Sequence, residues 1–326
     1  MTRLRLKLGF DNYSIRALNW KAPQLLDYAA SLRLDTVLFS DLDVYESFSD
    51  GYLRGIKAKA DHLGIEIHAG TGGICKASSF FNPKWGSPEQ LLRTTIRVAK
   101  ILGSPVARCF LGWVGDRPKL EARIASVVKT FRSVRTLAAD SGVKIAIENH
   151  AGDMHSSELK RLIEAAGRDG VGATMDSGNA VWSLEDPHSN LERLGRAALS
   201  TGIRDSAVWE TKDGAAFEWT AMGEGQVDWK AYFELYAKLC PKTPVQLEII
   251  TGPSRPLPYL TPEFWETWPR LSAADFATYV AHARKGRPRK PYKTPKGLKA
   301  EQAWQRRQLE KSIRYCRDVI GLGLKK

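Results

Sequence analysis

The sequence predicts a (β/α)8 barrel with a C-terminal helical extension. Three observations carry that expectation: eight short apolar runs recur along the chain, amphipathic stretches separate them, and several of the runs end in a carboxylate. A long doubly wound sheet shares the alternation of strand and helix, and pattern alone leaves it open. At 326 residues and 43% hydrophobic content, the chain can bury the core of one large barrel or of two smaller domains. The single barrel is the simpler reading, with residues 1–284 as the barrel and 285–326 as a basic linker and a C-terminal helix packing on it.

The candidate strands follow in order: LRLKLGF (4–10), LDTVLFS (34–40), IEIHAG (65–70), SPVARCFLG (104–112), VKIAIEN (143–149), VGATMD (171–176), ALSTGIRD (198–205) and TPVQLEII (243–250). VKIAI is a continuous β-branched run of the kind that parallel sheets bury on both faces. The third strand is expected to end at His68 and lead into a Gly-rich AGTGG, which lacks the Lys-Ser/Thr of a nucleotide loop and reads as a flexible substrate loop. Between strands, LEARIASVVKTFRSVRTLAA sets Leu120, Ile124, Val127, Val128, Phe131 and Val134 on one helical face. SSELKRLIEAAG opens with a Ser N-cap candidate and DWKAYFELYAKL with Asp228 as its cap.

Net charge is +13, but residues 284–326 carry about +12 of it. The basic stretch RKGRPRKPYKTPKGLK mixes Lys and Arg with Pro and Gly, so it is expected to be an extended linker. The helix after it places Trp304, Leu309, Ile313, Val319 and Ile320 at roughly helical spacing and ends at Gly321. Such a tail reads as solvated and structural, with no specific nucleic-acid partner. Cys75, Cys109, Cys240 and Cys316 lie far apart with no CxxC pair, which argues against a disulfide framework or a thiolate zinc site and points to a cytoplasmic protein. No apolar run reaches membrane-spanning length, so no membrane association is expected.

Glu148 ends the apolar fifth run, Asp176 ends the sixth, and Glu248 lies inside QLEII in the eighth. A barrel gathers its strand ends on one face, so three carboxylates would meet there. Without compensation they would cost several kcal/mol in desolvation and repulsion, and a shared cation removes that cost. Oxygen donors of this kind suit a divalent ion such as Mn2+ or Mg2+.

At these residues the sequence resembles the sugar phosphate isomerase/epimerase family of xylose isomerase-like TIM barrels. The matching pieces are IAIENH, VGATMDSGN, IRDSAVWE followed by MGEGQVDW, and QLEII, in the family's order and over roughly residues 4–250. The resemblance implies one divalent metal held by Glu148, Asp176 and Glu248, with Glu148 and Glu248 also carrying protons. It implies a sugar or sugar-phosphate isomerase or epimerase that works through a metal-stabilised enediolate, acting on a small carbohydrate, and leaves room for a homo-oligomer. Two positions depart from the family. Its seventh-strand His-x-Lys-Asp is here GIRD, with Gly202 at the ligand histidine and Arg204 at the lysine. Asp205, water, His68 and His150 are the alternatives for the missing ligand. Asn179 stands where sugar epimerases often carry a substrate-touching histidine.

His68, Arg108, His150, Asn179 and Arg204 are the candidate substrate-binding residues. His155 is expected to face solvent, and Trp113 and Trp182 to line a wall or the core. Two other functions compete: a dehydratase or lyase on the same metal site, and a non-catalytic sugar-binding protein that has lost the ligand histidine.

Overall fold

The computed structural model describes residues 4–325. Eight parallel strands form the barrel: β1 (Leu8–Asp11), β2 (Thr36–Phe39), β3 (Glu66–Gly73), β4 (Val106–Phe110), β5 (Lys144–Glu148), β6 (Val171–Asp176), β7 (Ala198–Gly202) and, after a hairpin of β8 (Asp205–Thr211) and β9 (Gly214–Thr220), β10 (Val245–Leu247). Each pairs in parallel with the next from β1 to β7, and β10 pairs with β1. A parallel bridge between Ile203 and Leu247 joins the end of β7 to β10 and brings the two edges together. This is the TIM-barrel arrangement, and it excludes the open doubly wound sheet.

The helices form because apolar residues recur along one face and their ends are capped. Leu120, Ile124, Val127, Val128, Phe131 and Val134 are all buried along the helix Leu120–Asp140, as their spacing predicts. Asp228 caps the helix Trp229–Leu239 through the backbone N–H of Ala231. The cap of Ser156–Ala166 is His155 rather than a serine: its imidazole accepts from the Ser157 N–H while the Glu158 carboxylate accepts from the His155 N–H. His155 is therefore buried, contrary to the expected solvent exposure.

The C-terminal helix Leu298–Tyr315 packs on the barrel wall, close to the first helix and to the end of β9. Its Glu310 accepts from the Tyr28 hydroxyl, Gln305 accepts from the Ala17 N–H, and Ser312 accepts from the Met222 N–H. Leu309, Ile313 and Ile320 are buried as expected. Val319 is exposed, because the final turn, Cys316–Ile320, is a wider π-helical turn that rotates it outward. The linker before this helix is extended, and Arg289 in it donates to Glu218 and to the Glu224 carbonyl. All four cysteines are buried and free.

Two sequence expectations change. AGTGG is not a loop: β3 runs on to Gly73, with a register shift between Gly70 and Gly73. The seventh run breaks at Gly202, and its continuation becomes β8, which pairs antiparallel with β9 while β11 (Arg255–Leu257) pairs with β9 on its other side. This small three-stranded sheet, with its own apolar cluster of Val208, Phe217, Leu257 and Tyr279, stands at the end of the barrel where the strands finish. Among the described residues no helix is long and apolar enough to cross a membrane.

Candidate active site at the carboxyl end of the barrel

Four strands deliver a carboxylate to the same end of the barrel. Glu148 closes β5, Asp176 closes β6, Glu248 follows β10, and Asp11 closes β1 beside it. Register sets their heights: Glu148 lies opposite Thr174, Asp176 opposite Gly202, and the Phe10–Leu247 pair puts Asp11 level with Glu248. All four are at most 5% exposed, so their charges are out of water. Asn149 fixes the backbone around Asp176, accepting from its N–H at 2.9 Å and donating to its carbonyl at 2.8 Å.

Two arginines enter the cluster. Arg108, in the middle of β4, donates to Glu148 from Nε at 2.7 Å and pairs with it again through Nη2. Its Nη1 is anchored on the carbonyls of Thr71 and Ser40. Arg204 lies two residues beyond Gly202, and its Nη2 bonds both Asp176 and Glu248, the latter at 2.7 Å. Three neighbours shape its course. A Cβ at Gly202 would stand 3.0 Å from an Asp176 oxygen and 3.1 Å from a Glu248 oxygen, so the glycine leaves open the space that a side chain there would enter. A Cβ at Gly178 would come within 2.2 Å of Arg204 Cγ. The Trp219 ring lies 4.3 Å from the guanidinium carbon, and its Nε1 donates to the Gly178 carbonyl.

Four buried carboxyl groups therefore face two guanidinium groups. Burial pushes the Asp11 carboxyl up to about 8, and the Glu248 charge adds to the rise. Burial likewise lifts Glu148 to about 7 against the pull of Arg108, and holds Asp176 well above the usual carboxylate range. Glu248 moves the other way, because Arg204 and Arg108 together outweigh its burial. The cluster thus keeps one ionised carboxylate beside others that hold protons more readily, a division suited to acid–base work near neutral pH.

The remaining candidates fall into two groups. Asn179 belongs to the cluster: it donates to Glu148 at 3.3 Å, its N–H is capped by Asp176, and its Oδ1 is buried without a partner. His150 sits at the rim, stacked on Phe110 with ring centres 3.7 Å apart, and its Nδ1 donates to the Gly112 carbonyl. Burial and the charge of Arg108 hold its imidazole down to about 4, so it is neutral. His68 lies deeper in the barrel, level with Leu38 of β2, where its ring bonds Ser200 and Glu66 at 3.0 Å each. Asp205 turns away to accept from the backbone of Gly223 and Gly225.

Sequence reasoning missed Asp11, Trp219 and Arg255. Asp11 carries the same signal as Glu148, a carboxylate at the end of an apolar strand. Trp219 lies on the unexpected hairpin. Arg255, on β11, holds its guanidinium carbon 4.6 Å from the Trp219 ring centre and 5.1 Å from that of Trp182.

One oxygen from each of Glu148, Asp176 and Glu248 lies within 4.8 Å of the others, so this buried triad could hold a metal ion. The surroundings do not complete the site that the family resemblance implies. Among the described residues no histidine joins the triad at that spacing, Gly202 offers no ligand atom, and Arg204 already bonds two of the three carboxylates.

Comparison with known proteins agrees with this architecture. A D-psicose 3-epimerase solved in the presence of D-fructose superposes with a TM-score of 0.64 at 16% identity, covering 97% of this chain and 100% of that one. The IOLI protein with a bound zinc atom gives 0.59 at 16% identity, over 84% of this chain and 99% of that one. AsbF from Bacillus anthracis, a probable 3-DHS dehydratase, gives 0.58 at 12% identity, over 74% and 92%. At these identities the likeness is one of fold. No curated protein matches the chain in sequence. The xylose isomerase-like TIM barrel family matches residues 26–262, most of the barrel with Glu148, Asp176 and Glu248 inside it, and the chain belongs to that family.

Proposed function

We propose that the protein is a sugar or sugar-phosphate isomerase or epimerase that moves a proton at the carbon beside a carbonyl. The observation that carries this reading is the convergence of Glu148, Asp176 and Glu248 on one end of the barrel, bonded by Arg108 and Arg204. Glu248, the carboxylate held ionised, takes the proton from the carbon; electrons shift onto the carbonyl oxygen, giving an enediolate. The guanidinium groups offset its charge in a site shielded from water, where such stabilisation is strongest. Glu148, which holds its proton near neutral pH, returns one to the intermediate. Return on the opposite face gives an epimer; return to the neighbouring carbon, with the hydroxyl proton passing to the former carbonyl oxygen, gives the aldose–ketose isomer. In this reading Asn179 and His150 bind substrate hydroxyl groups, supported by the unpartnered Oδ1 of Asn179 beside Glu148.

A second reading gives the positive charge to a divalent ion, Mn2+ or Mg2+, and the approach of the three carboxylate oxygens within 4.8 Å favours it. Glu148, Asp176 and Glu248 would hold such an ion, whose contribution would be to polarise the substrate's oxygens.

Incubation with a panel of ketoses, ketose phosphates and inositol ketones in heavy water tests the proposal. Deuterium should enter at the carbon beside the carbonyl of at least one of them, read by NMR. Formation of an alkene instead would assign the site to a dehydratase, and binding without exchange across the panel would leave a sugar-binding protein.

A further inference from the structure

We propose that the Arg204 guanidinium is the resident cation of this site, standing where the family resemblance sets a metal ion. The catalytic part of the inference rests on the enediolate reading above; the occupancy part does not.

The argument begins with spacing. Residues 202 and 204 point to the same side of an extended chain, so the space that glycine leaves open at 202 is within reach of the long side chain at 204. With glycine at 202, nothing stands between the Asp176 and Glu248 carboxylates from β7 itself, and the Arg204 guanidinium reaches back into that gap. Its contacts are those of a built-in group. Nη2 bonds both carboxylates, Nε bonds Asp176 again at 3.3 Å, Trp219 covers one face of the plane, and Gly178 clears the path of its stem. The side chain is 1% exposed. Arg108 takes the third carboxylate in the same way, leaving no member of the triad without a guanidinium partner.

Nη1 of Arg204 is the second observation. It is buried and has no hydrogen-bond partner. A guanidinium placed only to neutralise carboxylates would turn its donors toward them. An unfilled donor beside Asp176 and Glu248 is suited to the oxygen on which negative charge develops during proton transfer. The arginine therefore takes over two tasks of a metal: it compensates the carboxylates at rest and offers a donor to the enediolate oxygen.

Metal content and chemical rescue test this. Full-length wild-type protein purified from Mn2+-supplemented medium should hold under 0.1 ion per chain by elemental analysis, and neither EDTA nor added Mn2+ should move its melting temperature. The double variant Gly202→His, Arg204→Met restores a ligand and removes the competitor, and it should gain about one Mn2+ per chain with a clear rise in melting temperature. Arg204→Ala should lose at least 100-fold in deuterium exchange and recover at least tenfold with millimolar guanidinium chloride but not with Mn2+. One tightly held ion per wild-type chain, lost in Asp176→Ala, would overturn the proposal, as would recovery of Arg204→Ala by Mn2+ alone. Metal content is read without substrate, so a failure of the proton-transfer reading is seen separately, as a wild-type protein that exchanges nothing.

Discussion

The barrel holds two polar clusters, a half-buried one toward the amino ends of the strands and a fully buried one at the carboxyl ends, and they are built on opposite principles. Toward the amino ends of the strands, His68 bonds Ser200 and Glu66, and Glu66 also bonds Lys7. Each group there has a complementary partner, and the His68 hydrogen bond, with that of Lys7, draws Glu66 down to about 2 against the effect of burial. At the carboxyl ends, four carboxyl groups share two guanidinium groups, and burial drives three of them up. The first cluster stabilises the fold. The second works against it, because the native state must hold charges or protons that the unfolded chain would give to water. A site kept at the expense of stability is the mark of a functional constraint.

Breaking each cluster should expose this difference, most strongly at the arginines. Arg108→Met leaves Glu148 buried without its guanidinium partner and should lower unfolding stability by about 3 kcal/mol, read by urea denaturation. His68→Leu removes the hydrogen bonds to the Ser200 hydroxyl and to the half-exposed Glu66 carboxylate and should cost about 1–2 kcal/mol. Equal losses would mean that the two clusters do the same structural work.

Replacing a carboxylate sharpens the contrast through its sign. Asp11 binds its proton more tightly folded than unfolded, so its contribution is fully present below pH 3.8 and is lost as pH rises toward about 8. Glu66 binds its proton less tightly folded, so its contribution is present above pH 4.5 and is lost as pH falls toward about 2. Melting temperature followed across this range should therefore fall less on the alkaline side in Asp11→Asn than in wild type. Glu66→Gln should fall less on the acid side. At pH 8, Asp11→Asn should be the more stable protein by about 1 kcal/mol, since an amide can still accept from the Tyr13 N–H that Asp11 caps. A less stable Asp11→Asn at that pH would show that its charge is well compensated after all.

How far the sequence revealed these clusters depended on how local each signal was. Glu148, Asp176 and Glu248 were legible because a carboxylate at the end of an apolar run is a local anomaly, and a barrel brings strand ends together whatever the intervening sequence. Asp11 shows the same anomaly in LGFD, but LRLKLGF reads as a strand that stops at Phe10. His68 reads as a strand end because AGTGG has the composition of a loop. Strand pairing with β4 carries that segment on as strand, and His68 is left well below the mouth. The hairpin is signalled by SAVWETKDGAAFEWT, alternating residues around Asp213-Gly214, but its first residue, Asp205, reads as the end of the seventh barrel strand. Arg204 could be named from sequence, but its course could not. That course depends on two glycines and a tryptophan that meet only in the folded chain.

The most direct test compares deuterium exchange into a substrate found by the panel, under identical conditions, for wild type, Glu248→Gln and Glu66→Gln. Glu248→Gln keeps the size of the side chain and an oxygen facing Arg204 but removes the base. Its exchange rate should fall by at least 100-fold, while Glu66→Gln, altered toward the opposite end of the barrel, should stay within about threefold of wild type. Exchange by Glu248→Gln at the wild-type rate would contradict the assignment of this carboxylate cluster as the proton-transfer site.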